Sequence, residues 1–195
     1  MQNQAPIAHV QDEAKDDAEL MRRIAGGEQR AFQTLMQRHL ARTVRLAARI
    51  MGGTAAAEDV AQEAFIRVWK HAGDWLEPHQ AGAKFTTWLY RIVFNLCIDE
   101  KRKHRFSDID SIPEPVDESD NAQTGIERRE QSERVRSALG ELPERQRAAF
   151  VLCFYEEHSN KEAADILGVS VKALESLLVR SRRALKDKLG QEKQS

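Results

Sequence analysis

The apolar residues of this chain recur every three or four positions, which is the spacing of one face of an α-helix. The pattern is clearest over residues 57–105, where AEDVAQEAFIRVWKHAGDW and FTTWLYRIVFNLCIDEKRKHR predict two amphipathic helices joined by a short loop. No segment of useful length shows the two-residue period of a β-strand. The sequence therefore predicts an all-α protein.

A run of 18 residues without lysine or arginine, over 106–123, divides the chain. It contains six carboxylates and two prolines, a composition that buries too little apolar surface to fold, and it predicts a flexible acidic linker. The predicted organisation is a disordered N-terminal tail over 1–17, a helical domain over 18–105, the linker over 106–123 and a second small helical domain over 124–190.

Capping residues predict where several helices begin. Thr54 is placed to cap the helix that carries AEDVAQEAFIRVW, and residues 74–84 are predicted to form a loop because they contain Pro78 and Gly82. Two capping boxes, at residues 124–127 and 159–162, predict helix starts in the second domain.

The strongest local motif covers residues 159–183. A short helix with two alanines, a glycine turn at Gly168 and a second helix form the pattern of a helix-turn-helix over about 160–182. The exposed face of the second helix can enter a DNA major groove, where lysine and arginine bind phosphates and Glu175 can accept a hydrogen bond from cytosine. The alternative is an ordinary helical hairpin with a solvated charged face.

A second candidate DNA surface lies on the helix that starts near Phe85. Thr87, Arg91, Asn95 and Arg102 recur at helical spacing on one face, and the basic cluster over 101–105 follows them. A buried asparagine without a partner is unfavourable, so Asn95 either hydrogen-bonds inside the domain or faces a ligand. Taken alone, the basic cluster is equally explained by the helix dipole, which favours cations at a helix C-terminus.

The sequence contains no pattern of a catalytic, cofactor or metal site. The six histidines show neither HxxxH nor HExxH spacing, and no glycine-rich phosphate loop is present. Cys97 and Cys153 lie inside apolar helical patterns and are expected to be reduced thiols of a cytoplasmic protein, with a structural disulfide as the alternative. The N-terminus lacks the features of a signal peptide, and the longest apolar run is too short to insert into a membrane.

Taken together and in this order, the motifs resemble the extracytoplasmic-function (ECF) sigma factors of bacteria. AEDVAQEAFIRVW is similar to their region 2.2, FTTWLYRIVFNLCIDEKRK to regions 2.3 and 2.4, and LPERQRAAFVL with the helix-turn-helix to region 4. The resemblance covers roughly residues 19–189. It implies a subunit, not itself an enzyme, that binds core RNA polymerase, directs it to specific promoters and promotes melting of the −10 element, in a stress or envelope-signal response under the control of an anti-sigma factor.

The resemblance also implies three contact surfaces. The clamp helices of the polymerase β′ subunit would contact Asp59, Gln62, Glu63, Phe65, Arg67 and Trp69. The −10 element would contact Lys84, Thr87, Trp88, Arg91, Asn95, Lys101 and Arg102. The −35 element would contact Ser170, Lys172, Ala173, Glu175, Ser176, Arg180 and Arg183.

Further partners follow from the same resemblance: the polymerase β subunit is a second partner, and the acidic linker would pass toward the RNA exit path. Many family members carry a basic pair where this chain has Glu175 and Leu177, so the −35 sequence is left open.

Two other functions fit part of the pattern. A stand-alone DNA-binding regulator would use the helix-turn-helix with an N-terminal dimerisation or sensing domain, and it would bind duplex DNA without polymerase. A helical adaptor that binds only protein would tolerate charge reversal over 101–105 and 180–183. Neither function explains why Arg91 and Asn95 share a face.

Overall fold

The computed structural model describes residues 16–53, 56–76, 84–107 and 126–191. These residues form helices α1 over 16–25, α2 (Gln29–Met51), α3 (Ala57–Lys70), α4 (Ala72–Trp75), α5 (Phe85–Ser107), α6 (Ile126–Gly140), α7 (Glu144–Phe154), α8 (Asn160–Leu167) and α9 (Val171–Gln191). No strand occurs among them, and the all-α prediction is confirmed. The proposed caps Thr54 and Thr124 and nearly all of the predicted tail and linker lie outside the described residues.

The described part of helix α1 includes residues 16 and 17, which were predicted to belong to the tail, and their carboxylates are paired with α2. Asp17 is only 3% exposed. Its Oδ1 accepts a hydrogen bond from Arg38 at 2.6 Å, and its Oδ2 lies 2.9 Å from Nε2 of His39. Asp16 is paired with Arg38 at 2.6 Å. These contacts stabilise α1 against the middle of α2.

The first helical unit, α1 to α5, is built around the apolar stripes that the periodicity predicts. Buried residues of α2, α3 and α5 form one hydrophobic cluster, with Leu35, Leu46, Val68 and Leu89 completely enclosed. The prediction of a loop over 74–84 is wrong for its first two residues, which belong to helix α4. Helix α4 includes Trp75, which is 8% exposed and packs edge-on against Phe85 at 6.4 Å, so burial of a large indole holds an extra helical turn in place.

The second helical unit, α6 to α9, contains the predicted helix-turn-helix with closely matching bounds. Oγ of Ser159 accepts a hydrogen bond from the backbone N–H of Glu162 at 3.3 Å, and Ser159 N–H donates to the Glu162 carboxylate at 3.0 Å, completing the capping box. Helix α8 ends at Gly168, whose φ of 63° is the left-handed conformation that glycine adopts without strain. Ser170 then caps α9, with its Oγ accepting from Ala173 N–H at 3.2 Å.

The two units are packed against each other. Helix α2 contacts α7, and α5 contacts α8. Buried residues of both units, among them Leu89 and Val93 of α5 and Ile166 and Leu167 of α8, belong to a single hydrophobic cluster. The α8 helix of the helix-turn-helix is therefore part of the core that also supports α5.

The capping box leads to a prediction about stability. Replacing Ser159→Ala removes the side-chain acceptor for the Glu162 N–H, and it should lower the free energy of unfolding by about 1 kcal/mol. Ser176→Ala is the matched control, since that exposed hydroxyl donates only to the Lys172 carbonyl within α9. Urea denaturation followed by circular dichroism measures both variants, and equal midpoints would contradict a stabilising cap.

Candidate nucleic-acid and partner interfaces

Helix α5 presents a polar face opposite its buried stripe. Arg91 and Asn95 are exposed one turn apart, and Arg102 is exposed two turns further on. Asn95 is exposed, so it is not a buried asparagine that needs a partner inside the domain, and contact with a ligand stays a prediction. Thr87 was predicted to lie on this exposed face but is buried. It is 8% exposed, because its small side chain lies in the first turn of α5, where packing encloses it, so it is not part of this face.

Two of the predicted −10 residues contact the helix-turn-helix. Arg91 donates from Nε at 3.0 Å and from Nη2 at 2.7 Å to the carbonyl oxygen of Asp165, near the C-terminus of α8. A helix C-terminus carries partial negative charge and attracts a guanidinium. Lys84, just before α5, pairs with the Glu162 carboxylate of α8 at 2.8 Å. The start of α5 is therefore bonded to the second unit at two positions.

The aromatic residues near the start of α5 are mostly core. Phe85 is 2% exposed and Tyr90 1% exposed, so neither ring is available for stacking on a base. Trp88 is half-buried and packs against Phe85 with ring centroids 6.3 Å apart. Among the rings of Phe85, Trp88 and Tyr90, only that of Trp88 presents a surface that an unpaired base can contact.

The basic end of α5 is partly described. Lys101 is half-buried, while Arg102 and Lys103 are exposed, and Lys103 pairs with Glu100 at 3.1 Å. The side chains of residues 104 and 105 lie outside the part that the structure describes. The described cations extend the Arg91 and Asn95 face toward the end of the helix.

Helix α3 carries the predicted protein-binding face. Asp59 and Gln62 are exposed, and Glu63 and Arg67 pair across one turn at 3.0 Å. Trp69 is 36% exposed and packs edge-on against Phe32 of α2 at 5.2 Å.

Phe65 was predicted to lie on the partner-binding face of α3 but is buried. It is 2% exposed and lies in the core, because it falls on the buried stripe with Val68, so it supports the helix and does not contact a partner. Sequence reasoning missed Ile66, which is 45% exposed. The sequence contains a signal for this exposure, because Ile66 is an apolar residue that does not fall on the buried stripe of α3.

Helix α9 presents the predicted −35 residues on its outer side. Lys172, Glu175, Ser176, Arg180 and Arg183 are exposed, while Ala173 is half-buried. The Ser170 hydroxyl is used as the cap of α9. Arg183 and Asp187 are 4.0 Å apart and largely exposed, so this pair contributes little and leaves the guanidinium accessible. Val179, at 64% exposed, is an apolar residue on the same helix that sequence reasoning missed.

A second exposed apolar surface lies at the end of α7 and was not predicted. Phe154 is 45% exposed and Tyr155 40% exposed, and the ring of Phe150 lies 4.5 Å from that of Phe154. Two guanidiniums lie over these rings: Arg182 is 5.0 Å from the centroid of Phe154, and Arg49 is 4.6 Å from that of Tyr155. Exposed aromatic rings clustered in this way are typical of a protein-binding surface.

Among the described residues neither a metal-binding cluster nor a membrane-spanning helix occurs. No group of three or more histidine, cysteine, aspartate or glutamate residues among them is arranged to hold a metal ion. None of the helices that the structure describes is both long and apolar enough to span a bilayer. Both cysteines are free thiols, and burial raises the pKa of Cys97 to about 12, so this thiol is unreactive.

Two family models match the chain in order. The model described as sigma-70 region 2 matches residues 35–107, and the model described as sigma-70, region 4 matches residues 132–185. The first match contains α3 and α5 with their exposed faces, and the second contains the helix-turn-helix.

Named relatives agree with these matches. The chain is 34% identical over 172 residues to the ECF RNA polymerase sigma factor SigE of Mycolicibacterium smegmatis, covering 85% of this chain and 65% of SigE, which is just under two thirds. It is 28% identical over 180 residues to ECF RNA polymerase sigma factor SigW of Bacillus subtilis, covering 87% and 94%. It is 30% identical over 179 residues to ECF RNA polymerase sigma factor SigM of Mycobacterium tuberculosis, covering 90% and 86%.

Two solved structures are also similar. CnrH, solved in complex with the cytosolic domain of CnrY, superposes with a TM-score of 0.66 at 32% identity, covering 90% of this chain and 98% of CnrH. The sigma factor RpoE of Bartonella quintana, solved with the anti-sigma factor NepR, gives a TM-score of 0.67 at 23% identity, covering 82% and 96%, and shows the shared fold. With sigma-70 regions 2 and 4 in order along the chain and SigM 30% identical over most of its length, the chain belongs to the family of ECF RNA polymerase sigma factors.

Proposed function

We propose that this sigma factor binds core RNA polymerase through the exposed face of α3, opens and reads the −10 element with α5, and reads the −35 element with α9. The observation that carries the proposal is the separation of three exposed faces on three helices of one chain. Because the formal net charge is −1, DNA affinity must come from local concentrations of cations, and these lie at the end of α5 and along α9. The place of action is the cytoplasm, where the polymerase works.

The polymerase-binding face of α3 combines apolar and charged groups. Ile66 and Trp69 are partly exposed apolar side chains beside Asp59, Gln62 and the Glu63–Arg67 pair. An aromatic side chain surrounded by polar groups is the composition of an interface hot spot. Phe32 and the buried Phe65 support the Trp69 side of this face, with ring centroids 6.4 Å apart. We assign this face to the β′ clamp helices, and the apolar patch of Phe154 and Tyr155 to the β subunit.

The −10 surface uses the outer side of α5. The Asn95 amide can donate and accept hydrogen bonds at a base edge, and Arg102 can bind the phosphate backbone. Trp88 offers an aromatic edge to an unpaired base at the start of the same helix. This arrangement suits a strand that has separated from its complement, because an unpaired base exposes both its edges and its stacking face.

The −35 surface is the second helix of the helix-turn-helix. Residues 172, 175 and 176 lie in its first two turns, the part of a recognition helix that contacts base edges, while Arg180 and Arg183 lie further along. Glu175 is placed to accept from a cytosine amino group, and the arginines are placed for phosphates. Because the Glu175 carboxylate accepts and does not donate hydrogen bonds, its base preference differs from that of a lysine or arginine at the same position, and the −35 sequence stays open.

An anti-sigma factor completes the proposed function. CnrH was solved with the cytosolic domain of CnrY, and RpoE of Bartonella quintana with an anti-sigma factor. Because this chain covers 98% of the CnrH chain at 32% identity, we propose that it too is held by such a partner and released in a stress or envelope-signal response.

Co-elution with core polymerase tests the α3 face. Trp69→Ala should weaken binding to core polymerase by about 30-fold, since truncation of a hot-spot residue costs about 2 kcal/mol or more. Ile66→Ala, which removes a side chain 45% exposed, should weaken it in the same direction. Gel filtration with core polymerase and fluorescence titration measure both variants. Unchanged affinity in both variants, with native circular dichroism, would remove α3 from the interface, whereas failure of the parent chain itself to co-elute would favour the stand-alone regulator.

Promoter opening tests Asn95. Asn95→Ala should reduce open-complex formation by about tenfold, because one base contact is worth about 1–3 kcal/mol, and it should leave core binding unchanged. Gln37→Ala is the control, since it removes an exposed amide of α2 outside the three faces. Permanganate footprinting of the holoenzyme on a promoter that it selects from a random library measures opening. Loss of core affinity in the Asn95 variant would refute its assignment to DNA.

Salt dependence tests the binding of phosphates by α9. Arg180→Ala and Arg183→Ala should each lower the magnitude of the log–log slope of binding affinity against salt by about 0.9 for each phosphate that the variant no longer neutralises. Arg30→Ala, an exposed cation at the start of α2, should leave the slope unchanged. The assay is holoenzyme binding to the selected promoter over a salt series. A slope that does not change in either α9 variant would show that these arginines bind no phosphate.

A further inference from the structure

Two residues that join the two helical units, Arg91 and Lys84, were predicted to contact the −10 element. Arg91 of α5 donates twice to the Asp165 carbonyl of α8, at 3.0 and 2.7 Å, and Lys84 pairs with Glu162 at 2.8 Å. A guanidinium that donates two hydrogen bonds to one carbonyl has its nitrogens on that side occupied. DNA that uses the same nitrogens must displace the carbonyl.

A buried carboxylate forms the centre of the contact. Glu156, just after α7, is 6% exposed. Arg42 of α2 donates to its Oε2 from Nε at 2.6 Å, the Tyr90 hydroxyl donates at 3.3 Å, and Arg49 lies 3.6 Å from Oε1. A buried carboxylate is stable only with such partners, and here they belong to the other unit. Separation of the units removes them together.

The neighbouring groups agree with a closed contact. Although partial burial raises it, hydrogen bonds from Lys84 and from Ser159 lower the pKa of Glu162 to about 2, so this carboxylate stays charged while it is paired. The ring of His158 lies edge-on to Tyr90 at 5.3 Å. Burial lowers the pKa of His158, which keeps the imidazole neutral at the interface.

A glycine permits the close approach of the units at the other end of α2. Gly52 ends α2 with a φ of 80°, and a Cβ at this position would overlap the Nη1 of Arg147. Arg147 lies on α7, is 2% exposed and donates from Nη1 to the Gly140 carbonyl at 2.8 Å. Since Arg147 is enclosed, a methyl group at residue 52 must displace a buried guanidinium.

We propose that these contacts form an interdomain latch, made of Arg42, Lys84 and Arg91 on the first unit and of Glu156, Glu162 and the Asp165 carbonyl on the second. The latch holds the free protein closed, and Arg91 and Lys84 become available to the −10 DNA only when it opens. The proposal rests on the function proposed above, in which α5 reads the −10 element. It gives Arg91 a role both in the latch and in promoter binding. It makes DNA binding and separation of the units a single coupled equilibrium.

Two glycine variants test the latch. Gly52→Ala places a methyl group against Arg147, whereas Gly27→Ala introduces the same backbone strain, at a φ of 85°, with no heavy atom within 4 Å. Small-angle X-ray scattering of the free protein should show a larger radius of gyration for Gly52→Ala than for Gly27→Ala and the parent chain. Single-stranded DNA carrying the opened strand of the selected promoter should bind Gly52→Ala about tenfold more tightly, because the apparent Kd rises as the open fraction falls.

A second pair keeps the test independent of folding at Gly52. Glu156→Gln removes the buried charge and should also open the units, while Glu157→Gln changes the neighbouring exposed carboxylate and should not. Identical scattering of Gly52→Ala, Glu156→Gln and the parent chain would overturn the latch. Opening without DNA binding in any variant would keep the latch and overturn the proposed role of α5. Co-elution of all four variants with core polymerase shows that the α3 face is intact.

Discussion

A carboxylate removed from water must be paired, and the pairing of Glu156 with Arg42, Arg49 and Tyr90 connects the two halves of this sigma factor. The rest of the arrangement depends on this connection. Glu156 lies two residues after the end of α7 and pairs with Arg42 of α2, so it holds α7 against α2, and the helix-turn-helix that follows packs on α5. The apolar faces of α5 and α8 meet as a result and complete one shared core.

Helix α5 is consequently used on two sides. Its apolar stripe, with Leu89 and Val93 fully enclosed, stabilises the first unit, and its polar side carries Arg91 and Asn95. Asn95 is exposed, while Arg91 is bonded to α8. The two residues assigned to the −10 element therefore differ in the closed protein. Asn95 is accessible to a ligand, whereas Arg91 is already bonded to the Asp165 carbonyl.

The sequence predicts local structure here far better than contacts between distant segments. The period of 3.6 residues, the capping box at Ser159 and the turn at Gly168 are local signals, and the structure follows each of them. The burial of Phe65 was also implied by its own stripe, which the assignment to a partner surface overlooked. By contrast, helix α4 and the start of α1 depend on Trp75 against Phe85 and on Asp17 against His39, pairs that no local pattern reveals. The packing of α8 on α5 is of the same kind, because nothing near Asp165 marks its carbonyl as a partner of Arg91.

The same distinction explains which candidate residues the sequence identified. Cations on α5 and α9 are conspicuous because charge at helical spacing has a direct physical meaning. Exposed apolar residues such as Ile66, Phe154 and Val179 were missed because an apolar residue in a sequence is assumed to be buried. Their exposure suits a subunit that works inside a larger assembly, where such side chains are covered by partners. The proposed latch implies an order for the binding of polymerase and of promoter DNA. While Arg91 bonds to α8, the closed protein exposes apolar residues such as Ile66 and Phe154 but leaves Arg91 occupied. In the proposed function polymerase binding therefore precedes promoter reading, and any partner that favours the open form would also make Arg91 available to DNA.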